Sequence, residues 1–145
     1  MSGLPHARSF RELAVYQKAS HVAQRIFELT KSFRREETYA LTDQVQRASR
    51  SVGGQIAEPW GKRRYGRHFL TKLTDADAEQ LETQHWILVA TACGYLEREE
   101  ERTLIGELEE MGRMLNGMME KAHMFCGQSS STVREDHASY LPTDD

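Results

Sequence analysis

The sequence predicts an all-α chain of four amphipathic helices, and three observations predict it. Helix formers dominate the 145 residues, with only three prolines among them. No stretch alternates apolar and polar residues for long enough to build a set of strands. Four segments instead repeat apolar residues at steps of three and four. At 16.7 kDa the chain can bury one core and is too small for two ordinary ones, so a single domain is expected.

The first helix is predicted from Phe10 to Lys31, with Ser9 as its cap and Glu12 completing a capping box. Val15, Ala19, Val22, Ile26, Leu29 and Phe33 form its apolar seam. Tyr16, Ala23 and Phe27 broaden that seam, so burial on two sides is expected. A polar connection, Arg34 to Thr38, leads to a second helix that begins between Tyr39 and Thr42 and ends near Glu58. Its inward residues are Leu41, Val45, Ala48, Val52, Ile56 and Ala57. Gly53 and Gly54 each cost about 1 kcal/mol against Ala in a helix interior, so a close neighbour or a local bend is expected there. Pro59 lacks the amide hydrogen that continues a helical ladder and marks the end of the helix or the start of the turn.

The third helix is predicted from Tyr65 or Gly66 to Cys93, with Phe69, Leu70, Leu73, Ala76, Leu81, Leu88 and Ala92 facing inward and Gly94 as the stop. The fourth starts near Glu97, where clustered glutamates suit the positive end of a helix dipole. Leu104, Leu108, Met111, Leu115, Met118, Ala122 and Phe125 give it the cleanest heptad in the chain. Met114 and Met119 lie off this seam, placed to pack against a second subunit. The expected organisation is a flexible amino terminus over 1–9, a helical domain over 10–126 and a disordered acidic tail over 127–145, which holds one Arg against four acids.

The formal charge of -3 hides a split along the chain. Residues 1–72 carry 14 Lys and Arg against 6 Asp and Glu, and residues 73–145 carry 5 against 16. Such a split suits an anionic partner for the basic half, or contact between the two halves of neighbouring subunits. The longest nearly apolar run, Trp86 to Tyr95, is far short of the roughly 20 residues of a membrane span, and no signal peptide pattern opens the chain, so a cytoplasmic protein is expected. Cys93 and Cys126 have neither metal-ligand spacing nor the density of a disulfide scaffold and read as free thiols.

Two enzymatic patterns are present only in part. Glu82 with His85, and Glu120 with His123, repeat the Glu-x-x-His pattern of di-iron bundles, but the heptad of the fourth helix turns its pair outward. The Gly61-Lys62 dipeptide lacks the partners of a phosphate-binding loop, since position 56 is Ile and position 63 is Arg. Neither catalysis nor a cofactor or metal is expected.

The stronger functional candidate is the basic cluster Lys62, Arg63, Arg64 and Arg67, interleaved with Trp60, Tyr65 and His68. Cations beside aromatic rings can hold phosphates and stack on bases. Arg34, Arg35, Arg47 and Arg50 are candidates to extend it, although Arg47 is equally placed to pair with Glu58 or Glu82. The competing reading puts Trp60 and Phe69 in the core and leaves the cations as an ordinary solvated surface.

Five segments carry a resemblance to a known family: FRELAVYQKA, LTDQVQRASRSVGGQIAEPWGKRR, AEQLETQ, GYL and RMLNGM, in this order between Phe10 and Met118. They resemble the bacterial four-helix-bundle family, also called the ribosomal-RNA intervening-sequence protein family, over about Phe10 to Phe125. The resemblance extends to the accessory proteins of diversity-generating retroelements. It implies an antiparallel up-down bundle that associates into a barrel-shaped homopentamer. It also implies a non-enzymatic adaptor that binds RNA or DNA, or a reverse transcriptase complex, through a basic surface. The chain departs from the family pattern at Gly53, Gln55 and Pro59, where Pro, Asn and Gly are usual, and at Asp77 and Gln80, where Ser and Glu are usual.

Overall fold

Leu13 sets where the first helix starts. The structure is a computed structural model that describes residues 7–122 and Cys126. Ser9 does act as a cap, its hydroxyl accepting from the Arg11 amide at 3.0 Å, but what it caps is a single 3-10 turn, Phe10–Glu12. Glu12 reaches back to the amide of Arg8 at 3.3 Å, one residue before the expected partner. The backbone then extends at Leu13, whose side chain is fully buried, and α1 begins at Ala14 and runs to Thr30. Burying one leucine contributes roughly 2 kcal/mol.

Val15, Ala19, Val22 and Ile26 of α1 are buried, while Leu29 and Phe33 pack partly against the core. A 3-10 turn, Arg35–Glu37, and one π-helical turn, Thr38–Thr42, lead into α2, Asp43–Trp60. This helix runs unbroken through both glycines. A Cβ on Gly53 would meet the Tyr16 ring at 3.4 Å, an ordinary contact, and Gly54 has nothing within 4 Å, so neither the expected bend nor a close neighbour within the subunit requires these glycines. Pro59 does not end the helix at Glu58: it lies buried in the last turn, and the turn closes after it with the Lys62 amide donating to the Pro59 carbonyl at 2.9 Å.

α3 spans Gly66–Ala92; Phe69, Leu70, Leu73 and Ala76 are buried as expected, and the seam departs from the sequence-based one after Ala76. Leu73, Ala76, Gln80, Thr83, Ile87 and Ala90 face inward, whereas Leu81 and Leu88 are 55% and 51% exposed and Ala92 is exposed too. Following only the apolar residues shifts the register by one, because two inward positions are polar. Their polarity is satisfied. Gln80 donates to Asp77 Oδ1 at 3.0 Å and accepts from Gln84 Nε2 at 2.8 Å, and Thr83 donates to the Glu79 carbonyl at 2.8 Å. Bonded in this way, buried polar groups cost little. Gly112 of the facing helix makes room for them, since a Cβ there would lie 2.9 Å from Gln80 Nε2.

Gly94 ends the third helix with φ 84°, a conformation that L side chains rarely adopt. α4, Arg98–Glu120, opens on a reciprocal capping box between Glu97 and Glu100, and buries Leu104, Leu108, Met111, Leu115 and Met118, as the heptad predicts. Ala122 is buried as well; Phe125 and His123 lie outside the described residues, as does the segment 127–145 read as a tail.

Sequential helices pack side by side, and α1 closes the ring against α4. The connections show which termini share an end. Trp60 meets Phe69, with ring centroids 6.3 Å apart, across the α2–α3 turn. Tyr95, after α3, stacks on Phe33, after α1, at 4.9 Å, and its hydroxyl donates to Glu37 at 2.9 Å. The described residues therefore form an antiparallel, up-down four-helix arrangement without strands. Among the described residues no helix is long and apolar enough to cross a membrane.

Candidate nucleic-acid interface

The turn between α2 and α3 is built by two successive backbone bonds: the Lys62 amide to Pro59 and the Tyr65 amide to Lys62, both at 2.9 Å. The aromatic residues that the sequence interleaves with the cations have different fates here. Trp60 is 3% exposed and Phe69 fully buried, so both belong to the core and cannot stack on a base. Tyr65 is 52% exposed.

The cations divide likewise. Arg63 is half-buried: its guanidinium lies 4.2 Å over the Trp60 ring and donates to the Trp60 carbonyl at 2.6 Å. It caps the carbonyl end of α2 and holds the turn to the core. Lys62 and Arg64 are exposed, and among the described residues neither has a carboxylate within salt-bridge distance. Arg64 lies 5.0 Å over the Tyr65 ring. Arg67 is exposed on the first turn of α3. Glu58, the carboxylate of this corner, is engaged to one side, 3.3 Å from His68 Nε2 and 4.0 Å from Lys72 Nζ. Among the described residues no side chain caps the amino terminus of α3, so the partial positive charge of its free amides adds to the field of the corner.

The other four candidates are not in this corner. Arg34 and Arg35 lie in the α1–α2 connection, at the opposite end of α2, whose 18 residues span about 27 Å. Arg34 pairs with Glu36 at 3.1 Å. Arg47 and Arg50 sit between the ends on the exposed side of α2. Arg47 binds Gln44 at 2.9 Å and Glu82 at 3.5 Å, which settles its pairing in favour of Glu82, and Arg50 lies 5.4 Å over Phe27. The eight cations thus form three separate groups.

Folding brings other cations to the Lys62 corner. The Phe10–Glu12 turn packs on the last turns of α2, where Phe10 shares a groove with Gly53, Gly54 and Ala57, and Arg11 stacks on Phe10 at 5.0 Å. Arg8 is exposed just before it. A continuous helix from Phe10 would not place this segment here, and no local signal marks the break, which follows from the tertiary burial of Leu13. Residues 7–18, 57–68 and 117–122, which make up this end, carry eight Lys and Arg against three Asp and Glu. Residues 28–43 and 92–102, at the other end, carry five against eight.

Glu82 is committed to Trp86 Nε1 at 3.1 Å and to Arg47, and His85 is exposed. Among the described residues no three His, Cys, Asp or Glu side chains are grouped to hold a metal. Cys93 is exposed and Cys126 buried, and no disulfide joins them.

No curated protein matches the sequence. Among solved structures, it is similar to a protein of unknown function from the S23 ribosomal protein family of Bacteroides thetaiotaomicron VPI-5482, with TM-score 0.66 and 24% identity over 73% of this chain and 95% of that one. At that identity the likeness establishes the fold. Residues 11–117 match the family described as 23S rRNA-intervening sequence protein, a span that covers all but the last turn of the four helices. The chain belongs to the 23S rRNA-intervening sequence protein family.

Proposed function

We propose that the protein is a non-enzymatic, oligomeric adaptor that binds structured RNA, or a nucleoprotein such as a reverse transcriptase complex, through the basic end of its bundle. The observation that carries this reading is the Lys62–Arg67 turn. Two of its cations are exposed and unneutralised among the described residues, a third locks the turn in place, and the helix dipole of α3 adds to the same field. A reverse transcriptase as partner rests on the sequence resemblance to retroelement accessory proteins. Arg47 and Arg50, on the exposed side of α2, then serve as outlying contacts on a long RNA, whereas Arg34 and Arg35, at the acidic end, take no part.

Binding of this kind is dominated by phosphates and weakens steeply with salt. The test is RNA affinity across a salt series for the wild type and for Lys62→Ala/Arg64→Ala, a pair that leaves the Arg63 brace intact. The variant is expected to lose affinity and to show a shallower slope; unchanged binding would overturn the reading.

The homopentamer belongs to the same proposal. Leu81 and Leu88 stand seven residues apart on the outer face of α3, and Gly54 keeps an open place on α2 that nothing in its own subunit requires. Native mass measurement checks the stoichiometry, and Leu81→Glu/Leu88→Glu is expected to reduce it. A second reading, a purely structural module, draws on the opposite charge of the two ends, which can meet between copies. It predicts an assembly that falls apart at high salt and no retention on heparin or RNA.

A further inference from the structure

We infer that Tyr65 is a stacking platform for an unpaired nucleobase, so that the basic corner selects single-stranded segments of RNA over duplex. This rests on the reading of that corner as a nucleic-acid surface and adds what the corner recognises. Four large apolar side chains are well exposed among the described residues, namely Tyr39, Tyr65, Leu81 and Leu88, and two of them carry a phenol ring. Tyr39 is the more exposed at 81%, but it stands at the acidic end, beyond Glu36 and Glu37, where a phosphate backbone is repelled. Tyr65 alone of the two combines an open aromatic face with surrounding positive charge.

The geometry around Tyr65 is that of a fixed platform. Its amide donates to the Lys62 carbonyl and its own carbonyl accepts from the Phe69 amide, both at 2.9 Å, so the backbone is held on both sides while the ring projects from the turn. Arg63, clamped on Trp60, ties the same turn to the core. The Arg64 guanidinium lies 5.0 Å from the ring centroid. A base can stack on the open ring face, or enter between ring and guanidinium, while Lys62 and Arg64 hold the flanking phosphates. Little ordering of the protein is then needed on binding. A base inside a duplex already has both faces covered and cannot use such a platform, so only unpaired nucleotides gain from it.

Fluorescence anisotropy with an unstructured RNA of about 16 nucleotides, and with a duplex of the same length, tests the inference. For the unpaired RNA, Tyr65→Ala is expected to weaken binding by roughly five- to a hundredfold with little change in salt slope, the size of one base–aromatic stack. Its duplex affinity should stay within about twofold, since the phosphate contacts that dominate duplex binding remain. Tyr65→Phe, which keeps the ring, should bind both RNAs as the wild type does, and Tyr39→Ala should change neither. Equal losses on both RNAs, no loss on either, or a Tyr65→Phe defect as large as that of Tyr65→Ala would overturn the platform. Wild-type protein that binds neither RNA in a salt-dependent manner would instead overturn the underlying reading of the corner.

Discussion

The two ends of the bundle use arginine in opposite ways. At the α1–α2 end, Arg34 and Arg35 sit among Glu36, Glu37 and the glutamates that open α4, and Arg34 is already paired. At the α2–α3 end, Arg63 spends its charge on a backbone carbonyl and a tryptophan face, while Lys62 and Arg64 are left to solvent. Similar short cationic runs, RR and KRR, thus stand in an acidic end with one arginine paired in one place and in an open basic corner in the other. Part of the difference is local, since Glu36 pairs with Arg34 two residues away, and part is the company at each end, the amino end of α4 at the first and the Arg8–Arg11 segment at the second. A charge count along the chain cannot see this, because it separates halves rather than ends.

The comparison can be broken most severely from below. Phe69 is fully buried under the basic corner against Trp60, and Phe69→Ala should cost about 3–5 kcal/mol in urea unfolding. Next, Arg63→Ala should cost about 1–2 kcal/mol through the lost charge-assisted bond and ring contact. Arg34→Ala, which removes a pair whose two side chains are 69% and 72% exposed, should cost less than about 0.5 kcal/mol. If the two arginine variants prove equal, the distinction between brace and surface pair is wrong. At the acidic end, Glu97→Ala breaks the capping box of α4 and should cost about 1 kcal/mol, visible as a lower urea midpoint.

The smallest effect is a pH dependence at that same end. Partial burial, then the hydrogen bond to Glu37 and its negative charge, raise the Tyr95 phenol above its ordinary 10.0, against a weaker opposing pull from Arg34. As pH rises, the unfolded chain therefore loses this proton first. The contribution of Tyr95 is complete below the ordinary phenol value and is lost as pH climbs through the folded one. Stability should fall as pH rises above about 10 more steeply in the wild type than in Tyr95→Phe, as unfolding free energies at each pH would report.

Much of the architecture was legible in the sequence because apolar spacing reports burial directly. The heptad of α4 and the stop at Gly94 stand in the structure where the pattern puts them. The errors have physical causes. The seam of α3 was misread at Leu81 and Leu88 because Gln80 and Thr83 occupy inward places, satisfied by Asp77, Gln84 and the Glu79 carbonyl and accommodated by Gly112. The start of α1 was misread because a capping signature at Ser9 also suits a 3-10 turn, and only tertiary burial of Leu13 separates the two. Of the basic cluster, the four cations from Lys62 to Arg67 were legible from their adjacency. That Arg63 faces inward, that Trp60 belongs to the core, and that Arg34 and Arg35 lie about 27 Å away along α2 depend on contacts between segments distant in sequence.

The central claim is that the α2–α3 end, and not the α1–α2 end, meets nucleic acid. Its most direct test compares the salt dependence of RNA affinity for Lys62→Glu/Arg64→Glu and for Arg34→Glu/Arg35→Glu, two reversals of equal charge at opposite ends. The account predicts that the first weakens binding at least about tenfold near 0.1 M salt and flattens the slope by roughly 1.5 to 2, while the second stays within about twofold of wild type. Equal losses in the two variants, or the larger loss in the Arg34/Arg35 variant, would contradict it.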